Sequence, residues 1–302
     1  MQLIIQTLAP LMFLVLLGYL LKKTIADDSW TVVLNKLAIY LLFPALIFSG
    51  MIKVKIETID NFSFIYGNFI LLVYIIASLY FGLKAMGFKK SIVNTYVISV
   101  FFGNVGYLGF PILSSLIPNS EGLVSMHVAL YTLVLFTFGI GVLEFSVHKK
   151  LSSKILVDTL KNPLLVAVLF SIFILLIEIE LPYIVSKTVD LLAGGATPII
   201  LISLGIFLAR ELPKVEYKHV IGLVGLKLFI VPMIFLFYFY MAGQTEVLAI
   251  SVLEAGMPMA ITPFILAELY PMELEIIAIG IVVSCLLSVF TLPLLMVLVG
   301  LV

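Results

Sequence analysis

Two short stretches hold most of the polar chemistry of this chain. One runs Phe101-Phe102-Gly103-Asn104-Val105-Gly106-Tyr107-Leu108-Gly109-Phe110-Pro111, and the other Leu253-Glu254-Ala255-Gly256-Met257-Pro258-Met259-Ala260-Ile261-Thr262-Pro263. Asn104 brings an amide that both donates and accepts, set among Gly103, Gly106, Gly109 and Pro111. Glu254 brings a carboxyl group ahead of Gly256, Met257, Pro258, Thr262 and Pro263. Gly weakens a helix, and Pro removes a donor and clashes with the preceding turn. Each stretch is therefore expected to split its apolar segment into two half-helices near mid-membrane. Half-helices starting near Pro111 and Pro263 would aim free N–H groups at the bilayer centre, which favours an anion. Half-helices ending near Gly103 and Gly256 would offer free carbonyls, which favours a cation. A small organic anion, above all a carboxylate, is the natural cargo of such a crossing. Proline kinks used only for packing are the simpler reading of either stretch alone, but the two occupy matching positions in the two halves of the chain.

The remaining candidates are ionisable groups inside apolar segments, which are costly and mark function by default. Glu254 buried alone would carry a proton, and with a bound cation it would stay ionised, so it is a candidate for H⁺ or Na⁺ coupling. Lys227 lies about nine residues into its segment, on the order of 13 Å at 1.5 Å per residue. It is expected either to snorkel to the surface or to pair with Glu254, Glu144 or the anion. His127, Trp30 and the tyrosines near segment ends read as interfacial residues. Glu144 and His148 read as solvated.

Composition sets the class. Of 302 residues, 63% are hydrophobic and 11% charged, against roughly 25% charged in soluble domains. This is an integral membrane protein with little soluble mass, in contact with the bilayer. Net charge is zero, with basic residues spread over short loops, so nucleic-acid binding has no support. The single Cys285 offers neither a disulfide within the chain nor a metal cluster. No His-Glu-x-x-His motif, Ser–His pair or phosphate-binding Gly-x-x-x-x-Gly-Lys loop is present, so neither an enzyme nor a primary pump is expected, and no cofactor beyond a coupling Na⁺ or H⁺. The first segment lacks a basic leader and is followed by Lys22-Lys23, so it reads as a membrane helix rather than a cleaved signal.

About 20 apolar residues cross the hydrocarbon core. That rule predicts an all-α protein with ten spans at 3–21, 33–52, 64–86, 92–117, 124–147, 163–181, 184–209, 219–242, 247–270 and 274–299. Lys and Arg concentrate in the odd-numbered loops, which places those loops in the cytoplasm and both termini outside the cell membrane. The halves are related. Pro10-Leu11 matches Pro163-Leu164, Pro44-Ala45-Leu46-Ile47-Phe48-Ser49 matches Pro198-Ile199-Ile200-Leu201-Ile202-Ser203, and Pro111 matches Pro263, at offsets of 153, 154 and 152 positions. Five spans per half make the second repeat inverted, a recurrent carrier architecture. Residues 1–150 form the first repeat (spans one to five) and 151–302 the second (spans six to ten), joined by the basic link from His148 to Asn162.

The chain resembles the auxin efflux carrier family, which includes the plant PIN proteins and bacterial carboxylate carriers. The resemblance is carried by Asn35-Lys36-Leu37-Ala38-Ile39-Tyr40-Leu41-Leu42-Phe43-Pro44-Ala45-Leu46-Ile47-Phe48, by Gly103 to Pro111, and by Glu254-Ala255-Gly256-Met257-Pro258 with Leu266-Ala267-Glu268. It covers nearly the whole chain. It implies a fold similar to that of the bile acid:sodium symporters, with broken, crossing spans four and nine. It also implies an elevator-type carrier in which spans one, two, six and seven form a scaffold and the rest a moving transport domain. A homodimer through the scaffold is implied in the same way. One departure is that Met259-Ala260-Ile261-Thr262 stands where the family's ninth span is often Asn-rich, and another is that the long central loop of the plant proteins is missing.

The expected function is a secondary transporter for a small organic anion, with substrate contacts at Gly103, Asn104, Gly106, Gly109, Pro111, Met257, Pro258, Thr262 and Pro263, and ion coupling at Glu254 and Lys227. An anion channel and a membrane sensor built on a transporter fold are the competing readings.

Overall fold

The fold was obtained as a computed structural model, which describes residues 2–52, 62–117, 124, 127–128, 131–132, 134–148, 163–177, 179, 181–210, 215–243 and 245–301. Residues 149–162 of the expected basic link lie outside these, as do Lys53, Lys55, Glu178 and Glu180. The described residues are helical throughout, apart from loops and one isolated antiparallel bridge. In chain order the helices are α1 (Gln2–Thr24), α2 (Asp28–Met51), α3 (Phe62–Ala85), α4 (Lys90–Phe101), α5 (Phe110–Leu116), α6 (Leu135–Val147), α7 (Pro163–Leu176), α8 (Tyr183–Leu208), α9 (Tyr217–Met241), α10 (Thr245–Ala255), α11 (Thr262–Leu266) and α12 (Leu274–Leu298). Among the described residues, α2, α8, α9, α12 and the Tyr66–Ala85 part of α3 are long and apolar enough to cross a membrane. Large apolar side chains such as Phe13, Tyr74, Phe81, Phe237 and Phe290 stand exposed on several helices. Water would penalise that surface and lipid does not.

Three helices widen by one residue per turn just before a proline. The wide turns Ala38–Leu42, Val105–Gly109 and Leu226–Ile230 precede Pro44, Pro111 and Pro232, each in the first turn of the segment that follows. Proline has no N–H for the carbonyl four residues back, so the ladder slips to a longer closure instead of breaking. Gly, Pro and their neighbours thus turn side chains to new faces without ending the helix.

Two groups of helices pack together. α1 runs along α8, and α7 packs on α2, which also touches α8. α3 packs on α4, α9 on α10 and α12, and α4 also meets α9. The first group is held at close range by small residues. A Cβ at Gly18 would strike the backbone carbonyl of Ile202, and one at Gly205 the carbonyl of Val15. Small residues that let two backbones approach are the usual glue of membrane helices, because lipid tails give no hydrophobic drive.

Reciprocal hydrogen bonds join α2 and α8. Ser203 Oγ donates to Asn35 Oδ1 at 2.7 Å, and Ser49 Oγ donates to Asp190 Oδ1 at 2.6 Å. Outside the apolar layer, Asp27 caps α2 by accepting the Ser29 N–H at 2.8 Å, and the Ser29 bonds hold its carboxyl below the ordinary carboxylate value. Arg210 and Lys22 both pair with Asp28 beside it, at 3.0 and 2.7 Å.

Gly205→Val is expected to cost about 1–3 kcal/mol by overpacking against a backbone that cannot yield. Gly82→Ala meets nothing within 4 Å and should stay within about 0.5 kcal/mol of the parent. Thermal unfolding of the purified protein in detergent checks both.

Candidate functional site

The two polar stretches meet. α4 ends at Phe101 and the next helical turn begins at Val105, so the first break is only Phe102-Gly103-Asn104. α10 ends at Ala255 and α11 begins at Thr262, so the second break is the longer segment Gly256–Ile261. The breaks run antiparallel and pair through their backbones. Asn104 N–H donates to the Pro258 carbonyl at 2.8 Å, and Ala260 N–H donates to the Phe102 carbonyl at 2.8 Å. Ser284 of α12 accepts the Met259 N–H at 3.1 Å. Polar backbone that would otherwise be orphaned in an apolar layer is thereby satisfied.

One expectation is corrected here. The first half-helix starts at Val105, six residues before Pro111, so Gly106 and Gly109 lie within a wide helical turn and Pro111 in the first turn of α5. Asn104 stands at the N-terminal boundary, where its carbonyl accepts from Leu108 and Gly109 at 3.2 and 3.0 Å. The N–H groups of Val105, Gly106 and Tyr107 open this half-helix, where no preceding turn supplies carbonyl partners. In the second stretch the helix does start at Pro263's turn, but α11 is only five residues long.

A cavity of about 400 Å³ lies against the crossing. Phe102, Gly103, Asn104, Val105 and Gly106 line it from the first break, and Met259, Ala260, Ile261 and Thr262 from the second. α2 and α8 supply the opposite wall through Phe43, Ile47, Thr197 and Leu201. Among the described residues the cavity walls are apolar but for Asn104, Thr132, Thr197, Thr262 and the thiol of Cys285, and no charged side chain lines it. Among the described residues the Asn104 side chain has no hydrogen-bond partner, and neither has the buried Thr197 hydroxyl. Of the expected substrate contacts, Gly103, Asn104, Gly106 and Thr262 line this space. Gly109, Met257, Pro258 and Pro263 are not among its described lining residues, and the Pro111 side chain lies outside the described ones. Thr132, Thr197 and the α2 wall went unread. Thr197 and Phe43 each precede one of the matched prolines, Pro198 and Pro44, which is the signal that was available.

The charged pair lies behind the crossing, away from the cavity. Glu254 is fully buried, and among the described residues its two carboxylate oxygens have no hydrogen-bond partner. It rests against Gly109, where a Cβ would overlap the carboxylate. That glycine is needed for close approach, not for backbone conformation. Lys227, in the wide turn of α9, is buried and does not snorkel: its Nζ donates to the Ala255 carbonyl at 2.9 Å. A Cβ on Gly103 would come within 2.8 Å of that ammonium. Lys227 and Glu254 interact electrostatically but make no ion pair within 4.0 Å among the described residues. The carboxylate sits beside Gly109, and the ammonium sits at the carbonyl end of α10, where it matches the local backbone dipole.

Two further expectations fail. His127 is not interfacial but buried and stacked on Tyr131, ring centroids 4.7 Å apart. Glu144 is buried too and accepts the Tyr270 hydroxyl at 2.7 Å. In both, depth along the segment was read and the inward-facing side of the helix was not. Trp30 is exposed, as expected.

A helical membrane protein whose two broken helices pair beside an internal cavity is a membrane transporter in architecture. A family model described as "Membrane transport protein" matches residues 3–148 and 146–296, and the chain belongs to this auxin efflux carrier-like family. It is 27% identical over 308 residues to an uncharacterized transporter of Methanothermobacter thermautotrophicus, with 96% of each chain covered. It is 26% identical over 302 residues to an uncharacterized transporter of Methanocaldococcus jannaschii, with 94% of each covered.

Gly109→Ala should destabilise the protein by about 1–3 kcal/mol, because the new methyl group overlaps a buried carboxylate. Adding Glu254→Ala should recover most of that loss, a coupling that a double-mutant cycle of thermal unfolding reads directly.

Proposed function

We propose that the chain is an elevator-type secondary carrier of a small organic anion. The observation that carries this reading is the antiparallel pairing of the two breaks beside the cavity. It brings Asn104 and the N–H groups of Val105 and Gly106 to the wall of a space whose other described lining is mostly apolar. An anion with an apolar body matches that lining: the head group takes the amides and the body takes the walls formed by Phe43, Ile47 and Leu201. The apolar lining favours a monocarboxylate over a dicarboxylate, since among the described lining residues a second charge would meet no charged partner.

The fold fits two inverted repeats, 1–150 and 151–302, in a ten-span membrane protein, and the Lys and Arg bias of the loops supports both termini outside. Helix occupies part of every expected span, and the packing is reciprocal: α1 on α8 answers α7 on α2, and α3 on α4 answers α9 on α10. The first set corresponds to a scaffold of spans one, two, six and seven, and the second belongs to the transport domain. The cavity lies between them, where motion of one against the other would change its access. Dimerisation through the scaffold is part of the same proposal.

Coupling is assigned to Glu254 and Lys227. The ammonium already fills the carbonyl end of α10, the position that the backbone offers to a cation, and this favours H⁺ exchange within the pair over Na⁺ entry. A carboxylate without a hydrogen-bond partner and an ammonium close by hold one exchangeable proton between them.

The test is labelled uptake and charge movement in proteoliposomes for malonate, malate and indole-acetate, with and without Na⁺ and a pH step. Saturable uptake of one anion is expected, lowered at least about tenfold by Asn104→Ala, whose lost amide donated to a charged group. Wild-type affinity in a folded Asn104→Ala protein would overturn the site. A dependence on Na⁺ rather than on the pH step would overturn the coupling assignment.

A further inference from the structure

We propose that Asn35, Ser203 and Glu268 form a latch that seals one face of the carrier and must open for the cavity to change sides. The proposal rests on the two-body reading above, with α1, α2, α7 and α8 as one body and the crossing helices as the other.

The two serine bonds between α2 and α8 are the same contact made twice. Ser49 and Ser203 are 154 positions apart, and Asn35 and Asp190 are 155 apart, within one or two residues of the offset that relates the prolines. Ser203 fixes the Asn35 carbonyl oxygen, as Ser49 fixes an Asp190 oxygen. Both bonds stay within the scaffold.

At Asn35 a further bond leaves the scaffold. Its amide nitrogen donates to Glu268 Oε1 at 2.8 Å. Glu268 lies in the turn that follows α11, on the transport side of the interface. One buried side chain therefore holds the scaffold through its oxygen and the other body through its nitrogen. Next to it Phe207 of α8 meets Phe264 of α11 edge to face, with centroids 5.4 Å apart. These two contacts close this end of the interface.

Among the described residues no such contact joins the two bodies at the other end. Gly50 and Met51, at the far end of α2, line the cavity together with Asn104 and Gly106, and both glycines are exposed. Asn35 and Gly50 are separated by about 22 Å along α2 at 1.5 Å per residue. The same two bodies thus touch through polar and aromatic contacts at one end of α2 and part around a cavity at the other. Rocking or sliding between them cannot open the sealed end while Glu268 holds Asn35. The bond suits that task. It is charge-assisted, so it biases the population. Glu268 is exposed, so water can replace Asn35 when the bond breaks.

The latch is tested without any substrate. Spin labels are placed at Val33→Cys on α2 and Ile221→Cys on α9, both exposed positions, in the Cys285→Ser full chain in lipid nanodiscs. Pulsed electron resonance then reports the distance between the bodies. With the latch intact one distance should dominate. Glu268→Leu should raise the ratio of a second distance to the first about tenfold, the weight of one hydrogen bond to a charged group. Asn35→Leu should do the same. Glu268→Gln keeps an acceptor oxygen and should stay near the parent distribution. Ser49→Ala breaks the sister bond inside the scaffold and should change nothing. A Glu268→Leu distribution equal to the parent's, or an equal shift in Ser49→Ala, would overturn the latch. A latch-dependent shift in a protein that moves no anion would refute the transport reading and leave the latch standing.

Discussion

Everything in this structure depends on four backbone groups that find partners in each other. Two segments leave helical geometry inside an apolar layer, where an unpaired N–H or C=O group costs several kcal/mol. Asn104 N–H meets the Pro258 carbonyl and Ala260 N–H meets the Phe102 carbonyl, both at 2.8 Å. With these bonds the breaks are tolerable, and their by-products become useful. The amides that open the Val105 half-helix reach a cavity, and the Ala255 carbonyl at the end of α10 takes the Lys227 ammonium. Each stretch supplies partners that the other needs.

Charge is arranged around that crossing rather than within the cavity. Lys227 takes the Ala255 carbonyl, and Glu254 fits against Gly109 beside the wide turn. On the proposed reading, cargo and coupling groups are thus separated by the thickness of the crossing itself. An anion at Asn104 and the pair behind it share the same backbone, so an event on one side changes the field on the other. The wide turn before Pro232 makes this possible, since it turns Lys227 inward from a helix whose neighbouring residues Phe229 and Ile230 are exposed.

The breaks, their partnership and the apolar helices between them were legible in the residues, because Gly, Pro and a lone carboxyl group at matched offsets have few uses in a membrane. Where the half-helix starts was not. Gly106, Gly109 and Pro111 look like a continuing break, yet proline is harmless in a first turn and a wide turn absorbs the rest. The facing of His127 and Glu144 was misread, and that of Lys227 left open, for another reason. Depth along a span follows from counting, but the side presented inward depends on neighbours and on each preceding wide turn. Asn35 was visible only as part of a family-like run, because Ser203 and Glu268 lie 168 and 233 positions away from it.

The central claim is that the crossing serves a carrier with one cavity and alternating access. Counterflow tests it most directly. Proteoliposomes loaded with an unlabelled anion from the malonate, malate and indole-acetate set are diluted into a trace of the same anion carrying a label. A carrier must show transient accumulation of label above its equilibrium level, because outward-moving cargo returns the site loaded. Flux that rises linearly with concentration, with no such overshoot and no stimulation by internal anion, would contradict the account and leave a channel in its place.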